Sequence, residues 1–451
     1  MLLWNALTHK KEKFKPIKPG YVRFYTCGPT VYAPLQIGNL RTFIFEDILR
    51  RSLKFSGFKI TQVMNITDIE DKIIKKAKSE KKNFKEITKT YTKIFFEDIK
   101  KVNIEKAEVY PKATSNIREM INLISKLLKK GIAYTGKDNS IYFDISKFKK
   151  YGALSGLAKR ELKTGARIAA DEYNKNEAQD FVLWKSKKEG EPFWRSPFGE
   201  GRPGWHIECS AMSMKYLGNH FDIHTGGVDN IFPHHENEIA QSEAATGKKF
   251  VNYWLEAEHL LVNGTKMAKS LGNYYTLRDI GKKGFGPLDF RYLILTAHYR
   301  SRLNFTWRAL EASKKALNNL YKEIAEISNG NEKIADSKLY KDFENKFISA
   351  IDDDLNTPKA LGVLWEVLKA KNLSRQSKRK LSKTLDKVLG LKIFEFKKES
   401  AIPSNILKLA KERERLRLNK QFIQGDLLRK EIEALGYIVE DTANGPVVHK
   451  K

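Results

Sequence analysis

Two cysteines, Cys27 and Cys209, and the run Pro233-His234-His235-Glu236-Asn237-Glu238 are the residues of this chain whose types could grip a metal. On a helix, His234 and Glu238 stand four positions apart on one face, close enough to hold one ion, while His235 points elsewhere. With the two thiols they would complete a set of two sulfurs, one nitrogen and one oxygen, which suits tetrahedral zinc. The local pattern does not force that reading. A His four before a Glu is ordinarily a surface pair, a lone cysteine is ordinarily a small buried apolar residue, and thiols this far apart match no local metal motif.

Two further segments could handle phosphate. In Pro34-Leu35-Gln36-Ile37-Gly38-Asn39, Gly38 has no Cβ and lets a flat base approach the backbone. Gln36 and Asn39 offer amide donors beside a helix N-terminus, where the dipole favours anions. In Gly264-Thr265-Lys266-Met267-Ala268-Lys269-Ser270, two ammoniums three residues apart could clamp the charge of a leaving pyrophosphate. A plain turn and a solvated basic loop are the simpler readings of each segment taken singly.

The elements that must position these groups are legible from patterning. Tyr21 to Cys27 is rich in aromatic and β-branched residues and reads as a strand. Leu40, Phe43, Ile44, Ile48 and Phe55 recur at helical spacing until Gly57, and Phe58 to Asn65 reads as a second strand. This βαβ unit opens a doubly wound parallel sheet, so the expected fold class is α/β with a Rossmann-type catalytic domain. Ligands in such sheets lie beyond the carboxyl ends of the strands, which places the 27–39 loop and Asn65-Ile66-Thr67-Asp68 at one pocket. From about 70 to 130 the chain reads as Lys-rich helix, and 131–200 as an irregular insertion with short strands. Leu310, Leu317, Leu320, Ile324 and Ile327 form a helical stripe. Ala401-Ile402-Pro403 marks a linker, followed by two amphipathic helices broken near Gly425 and a hairpin turning at Asn444-Gly445. The division expected is 1–125 and 204–262 for the two catalytic halves, 126–203 for the insertion and 263–309 for a basic loop and stem-contact region. A helical bundle would occupy 310–400 and a small helix-hairpin piece 401–451.

Lys and Arg total 83 against 54 Asp and Glu, a surplus of 29 that a polyanionic partner or a general bias toward lysine would explain. Hydrophobic residues at 41% and aromatics at 11% exclude wholesale disorder. Two cysteines cannot make a disulfide framework. No apolar run has the length of a signal-peptide core or of a bilayer span, so a soluble, cytoplasmic protein without membrane contact is expected.

Taken together, the motifs resemble those of the class I aminoacyl-tRNA synthetases, and among them the cysteinyl-tRNA synthetase family. The resemblance runs over essentially the whole chain, through FYTCGPTVY (24–32), QIGN (36–39), NITDIEDKII (65–74), GWHIECSAM (204–212) and HTGGVDNIFPHHENEIAQSEA (224–244). It continues through KMAKSLGN (266–273), DDDLNTP (352–358) and GDLLRKEIEALGYIVEDT (425–442). It implies one zinc ion on Cys27, Cys209, His234 and Glu238, and L-cysteine held by Thr67, Trp205, His224 and Asp229. It also implies ATP, with Mg²⁺, on Gln36, Gly38, Asn39, Lys266, Lys269 and Ser270, with His259 near the nucleotide. Gln36, Asn39, Lys266 and Lys269 would carry catalysis. The activity implied is ATP-dependent formation of cysteinyl-adenylate and transfer of cysteine to tRNA(Cys), by a monomer with a helical anticodon-binding bundle.

Two positions depart from the family pattern: Gln36 stands where His is usual, and Ala268 where Ser is usual. Gln36 can donate an amide N–H to phosphate but never carries charge, which leaves open a catalytically impaired tRNA- or zinc-binding paralogue. A ligase joining cysteine to an amino sugar is the other alternative, and the long tail after residue 310 argues against it. Trp307, Trp365, Arg413, Arg415 and Arg417 are candidate RNA contacts, against the plainer readings of core tryptophans and a solvated helix face.

Overall fold

The computed structural model describes residues 1–157, 162–168, 178–267, 272–327, 337–395, 402–442 and 445–450. Strands β1 (Leu2–Asn5) and β2 (Lys10–Lys13) form an antiparallel pair that lies beside the main sheet. Next come β3 (Tyr21–Thr26), α1 (Ile37–Phe55) and β4 (Lys59–Met64), with β3 and β4 parallel, as the βαβ pattern requires. Gly57 takes φ +87° just past α1, a left-handed turn that ends the helix where the apolar periodicity stops.

Helices α2 (Asp71–Glu80), α3 (Phe84–Lys101) and α4 (Ile117–Lys129) follow. The region expected to be helical to residue 130 is therefore interrupted. Asn103 adopts φ +58°, and the chain then runs extended along the free edge of β4, bridging Val63 to Val109 and Ile66 to Lys112. Edge pairing with β4 satisfies backbone groups that a continued helix would have satisfied internally.

The insertion is a small sheet of β5 (Ala133–Thr135), β6 (Ile141–Phe143), β7 (Leu162–Ile168), β8 (Ala178–Ser186) and β9 (Gly201–Pro203). The chain returns through α5 (Trp205–Leu217), β10 (Phe221–Gly227), α6 (Glu236–Thr246) and β11 (Val251–Ala257). The main sheet has the order β11-β10-β3-β4, all parallel. The chain winds outward from β3 to β4 on one side and from β10 to β11 on the other. That leaves a crevice at the carboxyl ends of β3 and β10, where doubly wound sheets bind ligands.

Two apolar cores cover the two faces. One combines α4, α5, α6 and the insertion, around Phe181, Ile207, Cys209 and Trp254. The other runs from α1 into the helices that follow β12 (Leu260–Val262), β13 (Thr265–Lys266), α7 (Leu277–Lys282), α8 (Pro287–Leu295) and β14 (Leu303–Phe305). These helices are α9 (Trp307–Ile327), α10 (Ser337–Asp352), α11 (Thr357–Lys369) and α12 (Arg375–Leu389). The stripe Leu310, Leu317, Leu320, Ile324 and Ile327 is buried, as its spacing predicts. A buried Arg291–Asp47 pair at 2.6 Å ties α8 to α1. Trp307 and Trp365 pack against this core, and the Trp365 indole donates to Tyr292 Oη at 3.0 Å.

The C-terminal piece packs α13 (Ser404–Leu418) and α14 (Phe422–Ala434) on the antiparallel pair β15 (Tyr437–Thr442) and β16 (Gly445–Lys450). The helix break lies at Asn419–Gln421, where Lys420 takes φ +58°, and not at Gly425. Gly425 is inside α14 because the helices approach closely there: a Cβ would sit 3.1 Å from Arg417 Cγ. Arg413 is 1% exposed and grips Asp441 with both terminal guanidinium nitrogens, so it is committed to this small core. Arg417 approaches Asp426 and Asp441, whereas Arg415 remains on the exposed side. Ala401 of the expected linker and Asn444 of the expected turn lie outside the described residues, and 263–309 contains Ala268, Lys269 and Ser270, which do as well.

Candidate functional site

A cavity of about 370 Å³ opens at the carboxyl ends of β3 and β10. Cys27, immediately after β3, lines one end together with Trp205, Cys209 and His234. Gln36, Gly38, Asn39, His259 and Lys266 line the other. Residues from both halves of the sheet and from α5 thus converge on one space; the 27–39 loop reaches it as expected, but of the segment 65–68 only Asn65 lines its wall.

At the first end, single ligand atoms of Cys27, Cys209, His234 and Glu238 all lie within 4.8 Å of one another. His234 Nε2 is 3.1 Å from Glu238 Oε1, and Cys27 Sγ is 3.8 Å from the same oxygen. His234 sits in the turn just before α6, with Glu238 in the first turn of that helix, so the four-residue spacing acts as predicted. Trp205 lies flat on the His234 ring, centroids 4.4 Å apart and planes 19° apart.

His235 does not point away from the site as expected. Its Nε2 is 3.4 Å from Cys27 Sγ and its Nδ1 is 2.8 Å from Glu256 Oε1. Gly226 makes room for it, since a Cβ there would meet His235 Cε1 at 2.7 Å. His224 Nε2 holds Glu238 Oε2 at 2.9 Å, and its ring stacks on Trp254 at 4.5 Å. Cys27, His224, His235 and Glu238 therefore form a second, deeper donor set sharing two members with the first. His224 and Thr67 are buried and do not form part of the cavity wall. Thr67 Oγ1 accepts from the Asn65 amide at 3.0 Å and donates to Glu208 Oε2 at 3.2 Å.

The electrostatics of this pocket are short of positive charge. Burial, reinforced by the neighbouring Cys209 and Glu238, pushes the Cys27 thiol well up. Burial works the same way on Cys209, but the hydrogen bond from Cys27 and the proximity of His234 bring it below the ordinary thiol value. Burial disfavours charge on His234 too, yet Glu238 and Cys209 together hold it above the usual imidazole value. Burial raises Glu256 well above the carboxylate range, with Glu238 and Glu46 adding to it, and brings Glu46 to about 8 against the Thr225 hydrogen bond. Two thiols, an imidazole and a carboxylate brought within 4.8 Å of one another in a buried pocket are a donor set that fits a divalent ion.

At the other end, Gln36 caps α1. Its backbone N–H donates to Asn39 Oδ1 at 3.2 Å, which leaves the Asn39 N–H₂ group for other work. A Cβ on Gly38 would stand 3.3 Å from Met267 Cε, so the two signature segments touch here. Lys266 Nζ is 2.8 Å from Asp229 Oδ1, and His259 Nδ1 is 3.3 Å from Asp229 Oδ2. Buried Arg41, in the first turns of α1, donates to the carbonyls of His259 and Ser301 and so fixes the floor beneath the nucleotide end. Lys269 and Ser270 lie outside the described residues.

Comparison with known proteins bears on the whole chain. Residues 13–315 match the family described as "tRNA synthetases class I (C) catalytic domain", and residues 346–393 match the "DALR domain". A cysteine–tRNA ligase of Protochlamydia amoebophila is 47% identical over 467 aligned positions, covering 100% of this chain and 98% of the relative. One from Brachyspira hyodysenteriae is 46% identical over 466 positions, covering 99% and 98%. Among solved structures, methionyl-tRNA synthetase of Mycobacterium tuberculosis with methionyl-adenylate aligns with a TM-score of 0.59 at 13% identity, over 82% of this chain and 90% of that one. At that identity the likeness concerns the fold.

Proposed function

The chain belongs to the cysteine–tRNA ligases, within the class I tRNA synthetases, and on that premise we propose how its residues divide the work of the reaction. The enzyme activates L-cysteine with ATP and transfers it to tRNA. A carboxylate oxygen of cysteine attacks the α-phosphorus and the bond to the β-phosphate breaks, giving cysteinyl-adenylate and pyrophosphate. The terminal ribose hydroxyl of the tRNA then attacks the acyl carbon and AMP leaves. No protein nucleophile is required, so the residues act by positioning and by charge.

Cys27, Cys209, His234 and Glu238 would hold a zinc ion. The deeper set is the poorer choice, because His224 and His235 are not part of the cavity wall, whereas Cys27, Cys209 and His234 are. A bound zinc would accept the substrate thiolate as an added ligand and so separate cysteine from serine by bond type, where an apolar pocket discriminates poorly. Trp205 closes the pocket over His234. Asp229 is one of two acids in the cavity wall, beside Glu258, and would receive the substrate ammonium. His224 would act through Glu238, which it holds at 2.9 Å, whereas Thr67 is engaged by Asn65 and Glu208 behind the cavity wall. Gln36, Gly38, Asn39 and His259 would hold ATP, and Lys266 with Lys269 and Ser270 the departing pyrophosphate, with Mg²⁺ carried mainly by phosphates and water.

The bundle at 310–400, which contains the DALR match, would read the anticodon, and the C-terminal piece from 401 would assist it. The surplus of 29 positive charges favours tRNA through backbone contacts whose affinity falls with salt. Among the described residues, no helix is long and apolar enough to cross a membrane.

The convergence of the four ligand atoms, three of them on residues in the wall of the cavity that also receives both phosphate-handling segments, carries this reading. Metal analysis of the purified chain, coupled to cysteine- and serine-dependent pyrophosphate exchange, tests it. One zinc per chain and exchange strongly favouring cysteine are expected. A fully competent metal-free enzyme, or serine activated as fast as cysteine by the loaded one, would overturn it.

A further inference from the structure

His206 is not among the residues so far given a role, yet its Nδ1 lies 2.9 Å from Nδ1 of His234. Both residues are 2% exposed, so the contact is a buried one. His206 and Cys209 are three positions apart on α5 and lie toward the same side of that helix. The edge of His206 packs against Phe181 of β8, ring centroids 5.8 Å apart at 87°, while Trp205 covers His234 from the next position. One short helix thus supplies a thiol and also the group that touches the far nitrogen of the histidine facing it.

Two imidazole nitrogens at this distance require one N–H and one lone pair between them. His234 Nε2 faces Glu238 and the thiols, and a metal ligand there must present its lone pair. Its proton then belongs on Nδ1, where it can only be donated toward His206 Nδ1. His206 in turn must leave Nδ1 bare and carry its own proton on Nε2. We propose that His206 is a positioning residue that sets the tautomer and ring plane of His234, so that the donor set is pre-organised for metal. An imidazole in this place is unusual, since the commoner partners of ligating histidines are carboxylates and backbone carbonyls.

The inference rests on the metal reading given above, and its test separates the two. Zinc affinity of the full-length chain is measured by competition with a chromophoric chelator, and the visible spectrum is recorded after loading with cobalt(II). His206→Asn keeps an acceptor near the position of Nδ1, whereas His206→Gln moves it toward that of Nε2 and His206→Phe removes it. Wild type and His206→Asn are expected to bind similarly, with matching cobalt spectra. His206→Gln and His206→Phe should bind about 10- to 100-fold more weakly, with altered spectra, while their far-UV circular dichroism stays native. If His206→Phe does not fold, the Asn and Gln pair still decides the matter. Equal affinities and spectra for Asn and Gln, or wild-type affinity in a folded His206→Phe, would overturn the role of His206 while leaving the metal site standing. A wild-type chain that binds no metal would overturn the metal reading itself, and this inference with it.

Discussion

Lys266 Nζ lies 2.8 Å from Asp229 Oδ1 across the mouth of the cavity, so the basic loop and the acid proposed to hold the substrate amine neutralise each other. Both side chains are substantially exposed, and a pair of that kind contributes at most about 1 kcal/mol. It is weak enough to be exchanged. On the proposed reading, a substrate ammonium arriving at Asp229 would displace Lys266 and leave it for phosphate.

Replacing Asp229 with Asn removes the carboxylate that would receive the amine while keeping its shape. The KM for cysteine in pyrophosphate exchange is expected to rise at least about tenfold, equivalent to about 1.4 kcal/mol, while the KM for ATP changes far less. A variant with unaltered cysteine KM would show that the ammonium binds elsewhere.

Gln36 sits at the N-terminus of α1, where a single well-placed donor to a developing charge is worth about 100- to 1,000-fold in rate. Gln36→Ala should lose activity in that range in pyrophosphate exchange. Gln36→His should retain most of it, because the imidazole offers a donor at the same helix end. A Gln36→Ala enzyme as fast as wild type would mean the lysines carry that charge unaided.

Cys209→Ala leaves three of the four proposed ligands and fills part of the same buried volume. Zinc affinity should fall by more than about 100-fold, beyond the effect of any residue that acts only on a ligand. Metal content by mass spectrometry, read beside thermal unfolding, checks this. Full zinc occupancy in Cys209→Ala would transfer the site to the deeper set of Cys27, His224, His235 and Glu238.

Glu46 is 1% exposed, accepts from Thr225 at 2.9 Å, and is raised by burial to about 8 from an ordinary 4.5. Between those values the folded protein keeps a proton that the unfolded chain has released, so stability falls as pH rises, by up to about 1.4 kcal/mol per pH unit. Glu46→Gln keeps the acceptor and removes the titration. Its melting temperature should match wild type near pH 4.5 and exceed it increasingly toward pH 8. A constant gap across that range would show that Glu46 titrates normally.

Arg413, offered by the sequence as an RNA contact, is instead held by Asp441 inside the C-terminal piece. Arg413→Ala should destabilise that piece by about 1–3 kcal/mol through lost packing and an abandoned hydrogen-bond pair. Cysteine-dependent pyrophosphate exchange should stay unchanged. Proteolysis of the C-terminal segment, compared between variant and wild type, measures the first effect.

Local chemistry written in consecutive residues was readable without a structure. The alternation and periodicity around 21–65 specify a βαβ unit because strand and helix periods are properties of the backbone itself. The stripe from Leu310 to Ile327 specifies a buried helix face for the same reason. His234 and Glu238 were identifiable because four residues make one helical turn. Where local signals compete with tertiary pairing they misled: the chain after Lys101 is pulled out along β4, and Gly425 serves a helix crossing and not a break.

What the fold alone decided is which groups stand behind the ligands. His235 against Cys27, His224 against Glu238 and His206 against His234 join residues from the end of β3, from β10, from α5 and from the turn and first residues of α6, and no spacing rule relates such distant positions. His235 looked directed elsewhere because one step along a helix turns a side chain by about 100°, yet the turn before α6 and the missing Cβ of Gly226 bring it back to Cys27. The ligand types followed from the order of the residues. The partner of each proposed ligand followed only from how the sheet and its flanking helices close around a buried centre.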